Sequence, residues 1–263
     1  MSLVIEGLEQ GYGSRTVLQD IDIEVPQGKM VAVLGPNGSG KSTLIKTVCN
    51  IMKPRKGRII ADGKDISDID PKEFATYLGY VPQKYAPSDY MQVFDAILIG
   101  RAPYMGWSYS KNDFEVAARA IEQMGVEQLI DKNIQDLSGG QIQKVILARA
   151  IAQEPKYYIL DEPTSALDLR NQLNTLRTMR TLMRERDAGV LVALHDLNLA
   201  MRYADHVVMI KDAHVYASGQ PQEVITPDSI RAVYDVESEV VESNGELYIH
   251  IREDPEDAER IGP

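Results

Sequence analysis

The sequence predicts an α/β fold with an antiparallel β subdomain, a mainly parallel core sheet and an inserted α-helical subdomain. Three observations carry this. Apolar runs at residues 29–34, 157–160 and 190–194 are continuous, as in strands buried on both faces. Residues 3–12 and 21–25 alternate apolar with polar side chains, as in antiparallel strands. From about residue 85 to 152 the apolar spacing turns helical, which interrupts a strand–helix alternation.

The elements follow in order. After the two alternating strands, Lys29-Met30-Val31-Ala32-Val33-Leu34 is the first doubly buried strand. A glycine-rich turn leads into a helix over residues 41–51, and strands read at 57–61 and 78–82. Helical spacing is clearest at 113–124 and 140–153. Strands return at 157–160, 190–194 and 207–210, with helices between them. Residues 239–242 and 246–251 flank Asn244-Gly245, a dipeptide that favours a tight hairpin turn. The chain thus divides into a domain over residues 1–236, with its helical subdomain at about 85–153, and a C-terminal β-hairpin with an acidic tail over 237–263.

Bulk properties narrow the function. The chain's 263 residues suffice for a sizeable core. No run of about 18 apolar residues exists to cross a bilayer. The N-terminus lacks the basic, then apolar, pattern of a secretory signal. Cys49 is the single cysteine, so no internal disulfide forms, a reducing compartment fits, and packing is its expected role. A net charge of −11 argues against a general nucleic-acid binder. Part of that charge is the acidic run at 253–259, which reads as solvated and without function.

Gly35-Pro36-Asn37-Gly38-Ser39-Gly40-Lys41-Ser42 fits the phosphate-loop pattern G-x-x-x-x-G-K-[ST] and lies between a predicted strand and a predicted helix. Glycines let backbone N–H groups turn inward around phosphate oxygens, and the helix aims its positive end at the same anion. Lys41 is placed to reach the β- and γ-phosphates and Ser42 to offer its hydroxyl to Mg²⁺, with Thr43 next in the chain. A second apolar strand ends in Asp161-Glu162. Successive strand residues point opposite ways, so these carboxylates converge only if the strand has ended. One can then approach Mg²⁺ and the other an attacking water.

Leu137-Ser138-Gly139-Gly140-Gln141 resembles the signature motif of the ABC ATPases, and the likeness extends over residues 2–233. Lys144 stands where arginine is usual, which puts a bidentate contact there in doubt. The resemblance implies further roles. Tyr12 stacks on adenine, Gln83 touches Mg²⁺ and water, Asp168 belongs to the loop facing the opposite subunit, and His195 is the switch histidine at the γ-phosphate. His206, His214 and His250 are left to packing or the surface. Glu162 is the implied catalytic base, and Asp161, Gln83 and Ser42 hold Mg²⁺. The family pairs two subunits head to tail, each ATP lying between one phosphate loop and the partner's signature. Ser138 and the amides of Gly139 and Gly140 open a helix, a second natural anion site.

With one phosphate loop, one signature and no membrane span, the pore must be another chain. The resemblance therefore implies a homodimer at the cytoplasmic face of the membrane, bound to integral permease subunits. The stretch from Ala96 to Gly106, containing Gly100-Arg101-Ala102-Pro103-Tyr104, resembles the import ATPases for iron-siderophore, haem and cobalamin, as do residues 165–172 and 195–200. An external substrate-binding protein would then be a further partner. Importers of molybdate or tungstate are a variant of that reading, and an exporter ATPase is its rival. The cluster Tyr85, Tyr90, Met91, Tyr104, Met105 and Trp107 suits either a surface that accepts a partner helix or core packing of the helical insertion.

Overall fold

In the computed structural model, which describes residues 1–85 and 90–252, two strands open the chain. β1 (Ser2–Tyr12) and β2 (Arg15–Pro26) pair antiparallel, with Leu3, Ile5 and Leu8 of β1 and Leu18, Ile21, Ile23 and Val25 of β2 turned inward. β3 (Met30–Leu34) follows, buried throughout, and delivers the chain to α1 (Lys41–Val48). The helix is shorter than the predicted span of 41–51. It ends at Cys49 because Asn50 takes a left-handed backbone (φ 55), which asparagine tolerates, and Ile51 is left more than half exposed. The apolar character of Ile51 had extended the periodicity without a core to receive it.

β4 (Lys56–Ala61) and β5 (Lys64–Asp65) complete a four-stranded antiparallel sheet in the order β2-β1-β4-β5. α2 (Pro71–Tyr77), capped by the Asp70 carboxylate, then feeds β6 (Leu78–Val81). The helical insertion contains α3 (Val93–Leu98), a 3₁₀ segment (Ile99–Tyr104), α4 (Lys111–Met124) and α5 (Gly139–Gln153). The chain returns through β7 (Tyr157–Asp161), α6 (Leu169–Arg186), β8 (Gly189–Ala193), α7 (Leu197–Tyr203), β9 (His206–Lys211) and β10 (His214–Gly219).

The second sheet runs β10-β9-β3-β8-β7-β6 and is parallel except for β10 at its edge. Both faces are covered, which explains the unbroken apolar runs. Met30, Ala32, Leu34, Tyr158 and Leu160 enter the core shared with the helical insertion. Val31, Val33, Tyr157 and Ile159 enter a core shared with α1 and the antiparallel sheet. Cys49 packs in the latter core, and burial raises its thiol pKa, so it behaves as a small apolar residue.

Arg101, from the import-ATPase-like stretch, is buried. Its guanidinium donates to Asp113 Oδ1 of α4 at 3.0 Å, to the Ala152 carbonyl of α5 at 2.7 Å and to Glu154 Oε2 at 2.9 Å. Asp113 also closes a capping box with Ser110. That stretch therefore holds the helical insertion together. Of the aromatic and methionine cluster, Tyr85 and Met91 pack on the core and the Tyr104 ring lies over Arg101 at 4.1 Å. Tyr90 and Trp107 stand out exposed.

α8 (Pro221–Val224) and α9 (Pro227–Tyr234) follow, both outside the sequence-based expectations. β11 (Ser238–Ser243) and β12 (Glu246–Ile251) then pair about Asn244-Gly245 as a separate two-stranded sheet. The acidic run at 253–259 lies outside the described residues.

Candidate nucleotide site

The loop between β3 and α1 takes its shape from three glycines. Gly35, Gly38 and Gly40 have φ of 151°, 80° and 106°, in the range that side chains resist. Two of them also lack room, since a Cβ on Gly35 would lie 2.4 Å from the Ile210 carbonyl and one on Gly40 2.7 Å from Leu18 Cδ2. The loop then opens α1 with Lys41 and Ser42. Lys41 is 5% exposed, and its ammonium donates to the carbonyls of Gly35 (2.7 Å) and Pro36 (3.1 Å). Burial lowers its pKa, while the carboxylates of Glu162 and Asp161 act the other way.

Those carboxylates sit at the end of β7. Asp161 is the last strand residue and accepts a hydrogen bond from Ser42 Oγ at 3.0 Å. Burial raises its pKa, the Ser42 bond opposes this, and the neighbouring Glu162 charge adds to it. Glu162 has a left-handed backbone, φ 49. Such a conformation costs a bulky residue about 1–3 kcal/mol and breaks the strand alternation. It lets adjacent carboxylates serve one site. Glu162 Oε1 is hydrogen-bonded to His195 Nε2, and its Oε2 accepts from Gln83 Nε2.

A cavity of about 360 Å³ lies over the loop, lined by Tyr12, Asn37, Gly38, Lys41, Ser42 and Glu162 among others. Tyr12 is half exposed at the rim, its hydroxyl 3.4 Å from Thr43 Oγ1. Arg15 also lines the cavity and escaped the sequence reading. Its only signal was its place across the β1–β2 turn, paired with Tyr12. The ABC transporter family profile matches residues 18–165, which take in the loop, the signature and both carboxylates.

The chain belongs to the ABC transporter family. An uncharacterised ABC transporter ATP-binding protein of Methanocaldococcus jannaschii is 43% identical over 93% of this chain and 96% of its own length. A probable siderophore transport system ATP-binding protein of Bacillus subtilis is 37% identical over 90% of this chain and 87% of its own. Among solved structures, a putative metal-chelate type ABC transporter in an inward-facing conformation matches with a TM-score of 0.80 and 27% identity. That match covers 95% of this chain and 96% of the other. The chain is the ATPase subunit of an ABC transporter, and its fold is that of the ABC ATPases.

The ABC signature stands apart from this cavity. Ser138 caps α5, its hydroxyl accepting from the Gln141 amide at 3.4 Å while Gln141 Oε1 accepts from the Ser138 amide at 3.0 Å. Ser138 and Gly139 are exposed, and none of residues 138–141 lines the cavity. A Cβ on Gly140 would lie 3.1 Å from the Ala166 carbonyl, so the signature adjoins the loop that carries Asp168. Asp168 caps α6, accepting from the amide and side-chain nitrogen of Asn171 at 2.8 and 2.9 Å. The structure thus groups Lys41, Ser42, Asp161, Glu162, Gln83 and His195, and leaves Ser138, Gly139, Gly140, Gln141 and Asp168 outside that group.

The donor set fits Mg²⁺. A hydroxyl and a carboxylate already touch, both hard oxygen donors. Among the described residues no group of three His, Cys, Asp or Glu could hold a metal by itself.

Proposed function

We propose that this ATPase subunit powers an importer of iron-siderophore, haem, cobalamin or a related metal-chelate cargo. It does so as a homodimer at the cytoplasmic face of the membrane, with integral permease subunits and an external binding protein. The likeness to the siderophore-transport relative and to the metal-chelate type transporter supports the cargo class. The observation that carries the dimer is the separation of the exposed signature from the phosphate loop. A second copy placed head to tail brings Ser138 and the amides of Gly139 and Gly140 to the γ-phosphate over the loop.

In that arrangement the loop amides and Lys41 hold the phosphates, and Tyr12 stacks on adenine. Ser42, Asp161 and Gln83 would hold Mg²⁺, which neutralises phosphate charge when bound. Glu162 orients and polarises the attacking water, and His195 and Gln83 hold the Glu162 carboxylate in place. The reaction leaves ADP and phosphate and removes the ligand that joins the two copies, so the dimer's affinity differs between the two states.

The permease surface is a groove of about 590 Å³ between α2, β6, the 3₁₀ segment and α5, lined by Phe74, Tyr80, Ile99, Pro103, Arg149 and Gln153 among others. It is apolar with a few polar groups, as suits an inserted helix. Co-purification tests the reading. An importer gives a complex with a many-helix permease whose ATPase activity rises with a binding protein carrying a ferric siderophore. Cargo-stimulated turnover with a permease that needs no binding protein would reject import.

A further inference from the structure

His195 directly precedes Asp196, the N-cap of α7, whose carboxylate accepts from the amides of Asn198 (2.8 Å) and Leu199 (3.0 Å). α7 has seven residues. A helix that short has no stability of its own, so its packing decides how its first turn, and the backbone of His195, is aimed. Leu199, Ala200 and Tyr203 supply one side of that packing.

The C-terminal hairpin supplies the other. Asn198 Oδ1 accepts from the Ile249 amide at 2.7 Å, and Asn198 Nδ2 donates to the Ile249 carbonyl at 3.2 Å. One side-chain amide thus pairs with both polar groups of a β12 residue, as a neighbouring strand would. Ile249 is buried in the main core, and one turn along α7 Arg202 meets Glu246 at 3.4 Å. An isolated two-stranded hairpin is marginal in water. Here β12 packs on α7 and β11 on α9, so the hairpin bridges α9 to the helix whose first turn aims His195.

We propose that Asn198 is a positioning residue: through it the C-terminal hairpin holds α7 and so sets the place of His195 against Glu162. This rests on the assignment of His195 to the hydrolytic site. Misplacing a group by about 1 Å can cost two orders of magnitude in rate, and a loosened tether costs part of that. The hairpin therefore acts on turnover and leaves the phosphate loop's hold on nucleotide alone.

Steady-state hydrolysis by the full chain tests this. Asn198→Ala lowers kcat about tenfold and keeps KM for ATP within about twofold. In a His195→Ala background the same substitution adds no further loss, because both changes act through one group. Asn198→Asp keeps the acceptor for the Ile249 amide. It loses the donor to the Ile249 carbonyl and sets a carboxylate oxygen against it, so it too lowers kcat at constant KM, and it replaces the alanine variant if that one does not fold. Wild-type kcat in the Asn198 variants, with His195→Ala impaired, would overturn the proposal alone. So would additive losses in the double variant together with a fall in Tm, which would make Asn198 a support of the fold. Wild-type turnover in His195→Ala would overturn the role of the histidine and the proposal with it.

Discussion

Glu162 meets His195 across the ends of adjacent parallel strands: the carboxylate closes on the imidazole Nε2 just beyond the last paired residues, Asp161 and Ala193. The left-handed backbone of Glu162 makes the contact possible, because a continuing strand would send Asp161 and Glu162 to opposite faces.

A first prediction concerns that carboxylate. Glu162→Gln keeps the shape and the contact to Gln83 but removes the proposed base. Turnover falls by about 10²–10⁴, the usual worth of general base catalysis, while ATP binding persists. A lasting ATP-bound dimer then appears by size exclusion. Near-normal turnover would take Glu162 out of this role.

Lys41→Ala acts on binding instead. The ammonium lies within the loop, bonded to the Gly35 carbonyl, and on the proposed reading its charge-assisted bonds to phosphate would be worth about 1.5–3 kcal/mol. The affinity for a non-hydrolysable ATP analogue, read by calorimetry, should fall by roughly ten- to a hundredfold. Unchanged affinity would contradict the cradle.

The acid limb of stability should respond to Ser110. The Asp113 carboxyl is held below its ordinary value of 3.8, first by the Ser110 hydroxyl bond and then by Arg101, with burial opposing. A depressed carboxylate pKa gives stability that is present above the ordinary value and lost as pH falls through the lower, folded one. Ser110→Ala removes the main cause and the helix cap. Stability near neutrality drops by about 0.5–2 kcal/mol, and the acid fall of Tm becomes shallower, the variant and the wild type converging as pH drops. A stability difference between variant and wild type that stays constant down to acid pH would refute the assignment.

Two glycines of the helical insertion should part company. A Cβ on Gly100 would lie 2.3 Å from the Arg149 backbone carbonyl, whereas one on Gly106 would meet nothing within 4 Å. Gly100→Ala should cost about 1–3 kcal/mol through overpacking, and Gly106→Ala about 0.5 kcal/mol or less. Equal denaturation midpoints for the two variants would count against the close approach of the 3₁₀ segment to α5.

Much of the fold was legible in the chain. Continuous apolar runs marked the doubly buried strands, and Asn244-Gly245 marked the hairpin turn. The end of α1 was not legible, because a left-handed Asn50 overrides an apolar residue beyond it. α9 was missed as well, although Thr226, Pro227 and Ser229 form a capping box with proline at its first position. At the candidate site the phosphate loop and paired carboxylates could be read directly. Arg15 could not, since it reaches the cavity only by the pairing of β1 with β2. The aromatic cluster divides between the two readings its sequence allows: Tyr85 and Met91 pack on the core, while Tyr90, Tyr104 and Trp107 stay exposed, Tyr104 over a buried guanidinium.

The sequence by itself determined the family, the parallel core and the place of the glycine-rich loop between strand and helix, because each depends on residues adjacent in the chain. Spacing along a strand, a loop or a helix start is a local property. Only the tertiary structure decided that Glu162 turns toward Gln83 and His195, that Arg101 is spent on the helical insertion, and that Asn198 ties α7 to the hairpin. These contacts join residues between 12 and 79 positions apart, and their existence follows from how sheets and helices pack.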